Sequence, residues 1–446
     1  MRPPHPFTLV DQAIDIGRGL TERRIRLGVT GLSDAGKTVF VTALVQALLH
    51  PERLHRVRAV AEDRWHTAVL RPQPTQDLPR FPFEDCVRTL VGGAWPESTR
   101  STAELRVSIR YRPTGLRKRL GDRVLHLDLF DYPGEWLLDL ALLEMDYDAW
   151  ARRSLGAAHG DPDAGPFLAM VDDLGPAEER AAGEPWAIGA AARFTAYLRA
   201  RRAREGRAST LGPGRFLLPG ELEGSPLLTF APLPDRAEDT ALRRLMRERF
   251  DAYRRKVVRR FHERHFARLD RQIVLVDLAG HVAAGQETVA DVSASLDAVL
   301  RSLKIGEGWL PRWLVPRIER VLFAASKADH LPADQHAALA ERLKTALDDS
   351  LRRTAYTGAT LDTRTFAALR ATTEVEAKGR HYVAGRTEDD AEAIAHYPGR
   401  IAPSAGAGGG FAVRRFLPPA DLDPYSAWPH IRLDRVIEFL IGDWLT

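Results

Sequence analysis

The chain has 446 residues, 44% hydrophobic and 28% charged, with a formal net charge of +4. Those proportions exclude wholesale disorder, leave material for roughly two to three domains, and give no ground to expect nucleic acid as a partner. A single cysteine, Cys86, excludes an intramolecular disulfide framework and fits a reducing compartment. The opening stretch MRPPHPFTLVDQAIDIGRGL lacks the apolar core of a secretory signal. No run approaches the ~20 apolar residues of a membrane-spanning helix, so a cytoplasmic protein is expected.

In chain order, residues 11–24 read as a lead-in helix and RIRLGVT (24–30) as a buried strand. A Gly-bearing loop and the apolar helix KTVFVTALVQALL follow. Residues 51–100 read as irregular, because prolines from Pro72 to Pro96 interrupt any long element. LRVSIRYR (105–112) alternates like a half-buried or edge strand. RVLHLDLF (123–130) is another strand, stopped at Asp131-Tyr132-Pro133-Gly134. The next convincing strand is QIVLVDL (272–278), so residues 136–270 form a long, mostly helical insert, broken by Gly/Pro-rich segments near 155–166 and 211–226.

Beyond it come a helix near 286–303, the strand RVLFAAS (320–326), a helix near 333–350 and a strand candidate TFAALRATT (365–373). A Gly-rich loop or small β excursion spans 376–415, and HIRLDRVIEFLIGDWL closes the chain as a helix. Strands alternating with helices predict an α/β fold with a mainly parallel sheet covered on both faces. The expected layout is an N-terminal helix (1–24), a core in two parts (25–135 and 271–375), the insert between them (136–270), and an excursion with a helix packing on the core (376–446).

Gly31 through Thr38, GLSDAGKT, matches G-x-x-x-x-G-K-[ST] between a strand and a helix, the context of a P-loop NTPase. Glycines let successive amides curl toward phosphate, and the helix that follows points its positive dipole end at the anion. Ser33, Asp34, Ala35, Gly36, Lys37, Thr38 and Val39 are therefore candidate nucleotide contacts. Lys37 supplies a compact charge for the β- and γ-phosphates, in a chain whose basic residues are mostly arginine. The Thr38 hydroxyl is a candidate Mg²⁺ ligand.

In DLFDYPGE, Asp131 is the second candidate metal ligand, and the Gly134 amide is placed to sense a γ-phosphate. Asp128, taken to project from the same side of the strand, is the rival; its simpler reading is a buried carboxylate paired with a basic neighbour. Glu135 stands where many GTPases keep a water-orienting glutamine, so slow hydrolysis is expected. Ser326-Lys327-Ala328-Asp329 follows a strand and is similar to the guanine-reading [NT]-K-x-D motif, with serine replacing asparagine. A carboxylate there accepts from guanine N1–H and N2–H, which adenine does not offer in that arrangement. The alternative is that Asp329 caps a helix, in which case ATP is the nucleotide. Ala371, Thr372 and Thr373 fit a small-residue loop near the base, or equally a strand exit.

Together these segments, with AWPESTR, ALRATTEV and the closing helix, resemble the YcjX-like family of bacterial P-loop proteins, formerly of unknown function. The resemblance implies a GTP-binding, GTP-hydrolysing relative of the small switch GTPases, with Mg²⁺, an added helical region and a role in envelope stress. It implies nucleotide contacts at Ser33 to Thr38, Lys327, Asp329, His330 and the Ala371 backbone. It makes residues 95–100 the first switch, with Trp95 packing on the nucleotide, Ser98 nearby, Thr99 holding Mg²⁺ in competition with Thr102, and Arg100 neutralising phosphate charge as an arginine finger in cis. GTP or GDP is the expected ligand and an unidentified protein an expected partner, and a nucleotide-dependent protein-binding scaffold with incidental turnover is the alternative.

Residues 241–266 form a basic amphipathic helix that can touch anionic lipid, for example at the inner membrane, or a partner. The plainer reading is a solvated helix packing its apolar face on the insert. Residues 304–316, with Trp309 and Trp313, read as a partly buried connector, and His262 and His265 lack companions for a zinc site.

Overall fold

The computed structural model describes residues 22–446 apart from residues 33, 98–101, 116–117, 119–120, 204–211, 236–238, 286–288, 290–291, 294, 298, 301–317, 355–358, 390–391 and 402–409. A seven-stranded sheet forms its centre, built from β1 (Glu22–Gly31), β2 (Trp65–Arg71), β3 (Ala103–Tyr111), β4 (Arg123–Asp131), β5 (Arg271–Val276), β6 (Arg320–Ala325) and β7 (Thr360–Thr365). The strand order is β2-β3-β4-β1-β5-β6-β7. β4, β1, β5, β6 and β7 run parallel, and β3 is antiparallel to both of its neighbours. The α/β architecture with a mainly parallel sheet is therefore as expected.

Helices cover both faces, as buried parallel strands require. On one face, α1 (Lys37–Leu49), α2 (Phe83–Val91) and the C-terminal α9 (Leu433–Ile441) pack over Ile25, Leu27 and Val29 of β1. On the other, α7 (Leu278–Ala284), α8 (His336–Thr354) and the insert share one apolar core with Val274, Val276 and Phe323. α1 explains its own position: ten of its residues are buried, so it has almost no solvated side. A second, antiparallel sheet of β8 (Thr373–Ala377), β9 (Arg380–Gly385) and β10 (Ile394–His396) realises the β excursion.

Several expectations need correction. Glu22–Arg24 are strand, so the lead-in helix does not extend to residue 24; residues 1–21 lie outside the described residues. Residues 51–100 are not irregular: β2 ends where the first proline begins, and Pro82 sits at the N-cap of α2. Proline there starts a helix instead of breaking one. β3 is an inner strand, since β2 takes the edge. The strand expected at 365–373 is instead β7, which ends at Thr365, and the apolar residues after it form loop.

The insert begins with α3 (Glu135–Leu140) and continues through α4 (Tyr147–His159), α5 (Glu184–Ala203) and α6 (Ala241–Tyr253), the last prolonged by a π-helical turn over Arg254–Arg259. Its centre is aromatic, with Trp150 stacked on Phe250 at 5.1 Å and edge-on to Phe230. Leu242, Met246, Phe250 and Tyr253 of α6 are buried in this core, so its apolar face packs inward. The described residues contain no helix long and apolar enough to cross a membrane.

One buried acid fastens α3 to the insert. Asp139 accepts from the Tyr253 hydroxyl at 2.6 Å and from the Gly214 amide at 2.6 Å. Burial pushes its carboxyl up to about 6, although both hydrogen bonds and Arg215 work against that rise. The folded protein thus holds a proton, between about pH 4 and 6, that the unfolded chain has released, so this group's contribution to stability falls as pH rises through that window. His265, held down to about 4 first by burial and then by Arg26, Arg264 and Arg268, contributes the opposite slope. Chemical denaturation of the parent and Asp139→Asn across pH 4 to 7 separates the two. The parent should lose up to about 3 kcal/mol relative to the variant, and parallel pH profiles refute the assignment.

Candidate functional site

β1 ends at Gly31, and the chain curls there before α1 begins. Asp34 and Gly36 hold left-handed φ values of 58° and 76°, the second a conformation glycine adopts at no steric cost. The Leu32 amide donates to Leu275 O of β5 at 3.0 Å, which fixes the loop's base to the sheet. Lys37 Nζ folds back to donate to Gly31 O at 3.2 Å. Ser33 lies outside the described residues.

The parallel register of β1 with β4 sets Val29 opposite Asp131. The chain leaving β4 is therefore brought against the same loop. A Cβ added to Gly134 would lie 2.2 Å from Gly31 O, so only glycine permits this approach. Asp131 is 1% exposed. Thr38 Oγ1 donates to Glu97 O at 3.3 Å, which brings the segment after Trp95 to the start of α1. Lys37, Thr38, Asp131 and Gly134 thus gather near Gly31, an ammonium, a hydroxyl and a buried carboxylate suited to a polyphosphate and a hard divalent cation.

Asp128 does not share Asp131's side of the strand, because three residues along a strand reverse the facing. Asp128 lies on the face of Phe130, where Arg106 grips both its oxygens at 2.6 and 3.0 Å and Arg24 also binds it. Its neutralised, 1% exposed carboxylate is the structural ion pair of the plainer reading. Glu135, at the head of α3, is paired with Arg202 of α5 at 2.6 Å. Thr102 is buried just before β3, while Ser98, Thr99 and Arg100 fall outside the described residues.

A cavity of about 290 Å³ opens beside the loop. Asp34, Ala35, Gly36 and Val39 form one wall, and Ser326, Lys327, Asp329 and His330 another, with Trp95 and Pro96 at the rim. Asp329 is 3% exposed, and its Oδ2 accepts from the Ala371 amide at 2.9 Å. Thr372 Oγ1 donates to the Asp329 carbonyl. The two segments singled out around Asp329 and Ala371 therefore meet, across 42 residues of sequence. Ser326 Oγ donates to Val276 O at 3.2 Å, tying the strand ends together.

Two features escaped the sequence reading. Lys327, left-handed at φ 55°, places Nζ 2.6 Å from Asp277 Oδ2, at the end of β5. Burial would push the Asp277 carboxyl up, but the Lys327 charge and hydrogen bond hold it below the usual range. A carboxylate ending the strand LVD was the available signal. The other is the roof: Arg415, Phe416 and Leu417 reach over the cavity from the excursion. Trp95 Nε1 donates to Phe416 O at 2.8 Å, and His330 meets the Phe416 ring edge-on at 5.6 Å. Nothing local in the sequence signals that approach. His265 stacks on Phe130, and the described residues hold no cluster of metal-ligating side chains of three or more.

The profile of the YcjX-like family, DUF463, matches residues 25–445. The chain belongs to the YcjX-like family. A relative from Escherichia coli (strain K12), named "Ras-like GTPase YcjX", is 36% identical over 96% of this chain and 97% of its own length. A second of the same name, from Shewanella oneidensis, is 33% identical over 95% of each chain.

The Gly134 contact makes a direct prediction. A methyl group cannot fit 2.2 Å from an oxygen, so Gly134→Ala must separate the loop from α3 at a cost of about 1–3 kcal/mol. A melting temperature equal to the parent's would show that the close approach is not required.

Proposed function

We propose that this chain is a regulatory GTPase that binds GTP with Mg²⁺ and hydrolyses it slowly. The observation that carries this reading is one cavity bounded by both the phosphate loop and the buried Asp329 carboxylate, with the Ala371 amide beside it. The names of the two relatives support it. In this reading the amides from Ser33 to Thr38 cradle the phosphates, and Lys37 binds the β- and γ-phosphate oxygens. Thr38, Asp131 and Thr99 hold Mg²⁺, which when bound neutralises charge on those oxygens. The Gly134 amide meets the γ-phosphate, and Arg100 serves as an arginine finger in cis.

Asp329 reads the base, flanked by the Lys327 stem, His330, Trp95 and the Ala371–Thr372 backbone. Its carboxylate is engaged by a loop amide from another part of the chain and not by the amides of a helix it caps, which favours base reading over the ATPase alternative. Glu135, with its carboxylate in an ion pair to Arg202, is a poor base for water, and this supports slow turnover. A link to bacterial envelope stress, with an effector protein and a peripheral contact at the inner membrane, rests on the family resemblance alone.

Two measurements test the reading. Lys37→Ala should weaken binding of labelled GTP about a hundredfold or more; equal affinity would move the phosphate site elsewhere. Asp329→Asn should shift preference from GTP toward xanthosine triphosphate by about two orders of magnitude. Should that variant keep the parent's preference, the base is read by other groups. Single-turnover assays in which GTP persists for hours would leave a nucleotide-dependent scaffold.

A further inference from the structure

A second cavity, of about 330 Å³, lies between the turn after α1 and the start of α9. Arg53, Arg56, Arg432, Arg435 and His430 line it with a single acid, Asp434. That acid forms no ion pair with the guanidinium groups among the described residues. Asp434 is 8% exposed, and its two oxygens accept from backbone amides, Arg56 N at 3.1 Å and Arg435 N at 2.8 Å. The guanidinium groups of Arg56 and Arg435 have no hydrogen bond or ion pair among the described residues, whereas nearby Arg58 is paired with Glu438. Four guanidinium groups against one carboxylate leave an excess of positive charge around the concavity, which favours an anion. The planar fork of arginine matches phosphate oxygens, and the volume suits a small ligand.

The cavity is also connected to the base-reading turn. Arg432 Nη1 lies 3.1 Å from His336 Nδ1. The opposite nitrogen, Nε2, is 2.7 Å from Ala328 O and 3.0 Å from Leu331 O. Carbonyl oxygens only accept, so Nε2 carries the proton and the Nδ1 lone pair accepts from Arg432. The imidazole is thus neutral and spans from Arg432 to the turn Ala328–His330, which carries Asp329. Arg432 itself sits at φ 57°, a left-handed backbone disfavoured for arginine. Alongside, Ile431 and Ala367 exchange both backbone hydrogen bonds, at 3.0 and 2.9 Å, and Ala367 lines the first cavity.

We propose that this second cavity is an effector site for a small phosphate-bearing anion, and that Arg432 transmits its occupancy through His336 to the turn that reads the base. An anion drawing the Arg432 guanidinium toward itself weakens its donation to His336, and the turn loses part of its support. Nucleotide release then quickens. The transmission rests on the function proposed above; the anion site does not.

The test keeps the two apart. Calorimetric titration of inorganic pyrophosphate into full-length Lys37→Ala, whose phosphate loop is disabled, should show one saturable site. Adding Arg56→Ala and Arg435→Ala should weaken it at least about tenfold. Absence of a saturable site, or one indifferent to those substitutions, overturns the proposal whatever the nucleotide does. In the parent, release of fluorescent GDP into excess GDP should accelerate several-fold with pyrophosphate. The Arg56→Ala/Arg435→Ala protein should keep the basal rate and lose the acceleration, and Arg432→Ala should bind the anion weakly and show no acceleration. Anion binding with an unchanged release rate removes the transmission. Binding to phosphatidylglycerol vesicles with no response to pyrophosphate would replace the cavity by a lipid-facing surface and overturn it too.

Discussion

The parallel pairing of β1 with β4, which sets Val29 opposite Asp131, is the constraint on which the rest of the site depends. Parallel strands discharge their connecting loops at one edge of the sheet, where open α/β sheets bind ligands. The curl at Gly31 and the turn at Gly134 are forced together there, close enough that a single methyl group would separate them. β5 and β6 follow in the same direction, so Asp277 and Lys327 emerge beside them. The chemistry-bearing residues are scattered over some three hundred positions in sequence, and the sheet alone collects them.

The same edge roots the insert. α3 leaves Gly134 directly, and each of three of its side chains is held by the insert. Glu135 pairs with Arg202 at 2.6 Å, Trp136 donates to Leu218 O at 3.2 Å under the Arg215 guanidinium, and Asp139 binds Tyr253 and Gly214. A displacement of the turn at Gly134 must therefore either break buried polar contacts or carry the insert with it. Breaking them is costly where the groups are shielded from water, so the insert is mechanically tied to this turn.

Much of this was legible in sequence, for identifiable reasons. β5 and β6 read as near-continuous apolar runs because both their faces are covered. β1 and β4 keep arginine, histidine or aspartate between their apolar residues, and were legible by those apolar residues and the turns that follow them. β2 and α2 were hidden by the prolines around them, which here mark boundaries and not the absence of structure. The apolar run FAAL misled in the other direction. Edge strand β7 is the polar TLDTRT, and Phe366 and Leu369 are apolar because the loop after it buries them in the core beside the cavity. Asp128 and Asp131 were separable by strand alternation alone, since residues three apart face opposite ways. Asp131 was legible as the acid at the turn; that Asp128 is consumed by Arg24 and Arg106 depends on strands paired across the sheet. The roof at Phe416 had no local signature, because it depends on a contact with Trp95 across 321 positions.

What those contacts achieve around the first cavity is rigidity before any ligand arrives. The turn over Ala328–His330 is fixed on three sides: Lys327 reaches Asp277, Asp329 takes the Ala371 amide and the Thr372 hydroxyl, and His336 donates to Ala328 O and Leu331 O. Lys327 accepts a left-handed backbone in consequence, a strain of order 1–3 kcal/mol that its ion pair and the Ala328 amide's bond to Phe366 O at 3.1 Å offset. A pocket wall so braced loses little freedom when a ligand enters, so more of the contact energy remains for discrimination. It also follows that the wall has few independent ways to move. The neutral His336, held between Arg432 and two carbonyls, is the brace whose own support reaches back to the second, cationic cavity, so the loosening proposed above would have to begin there.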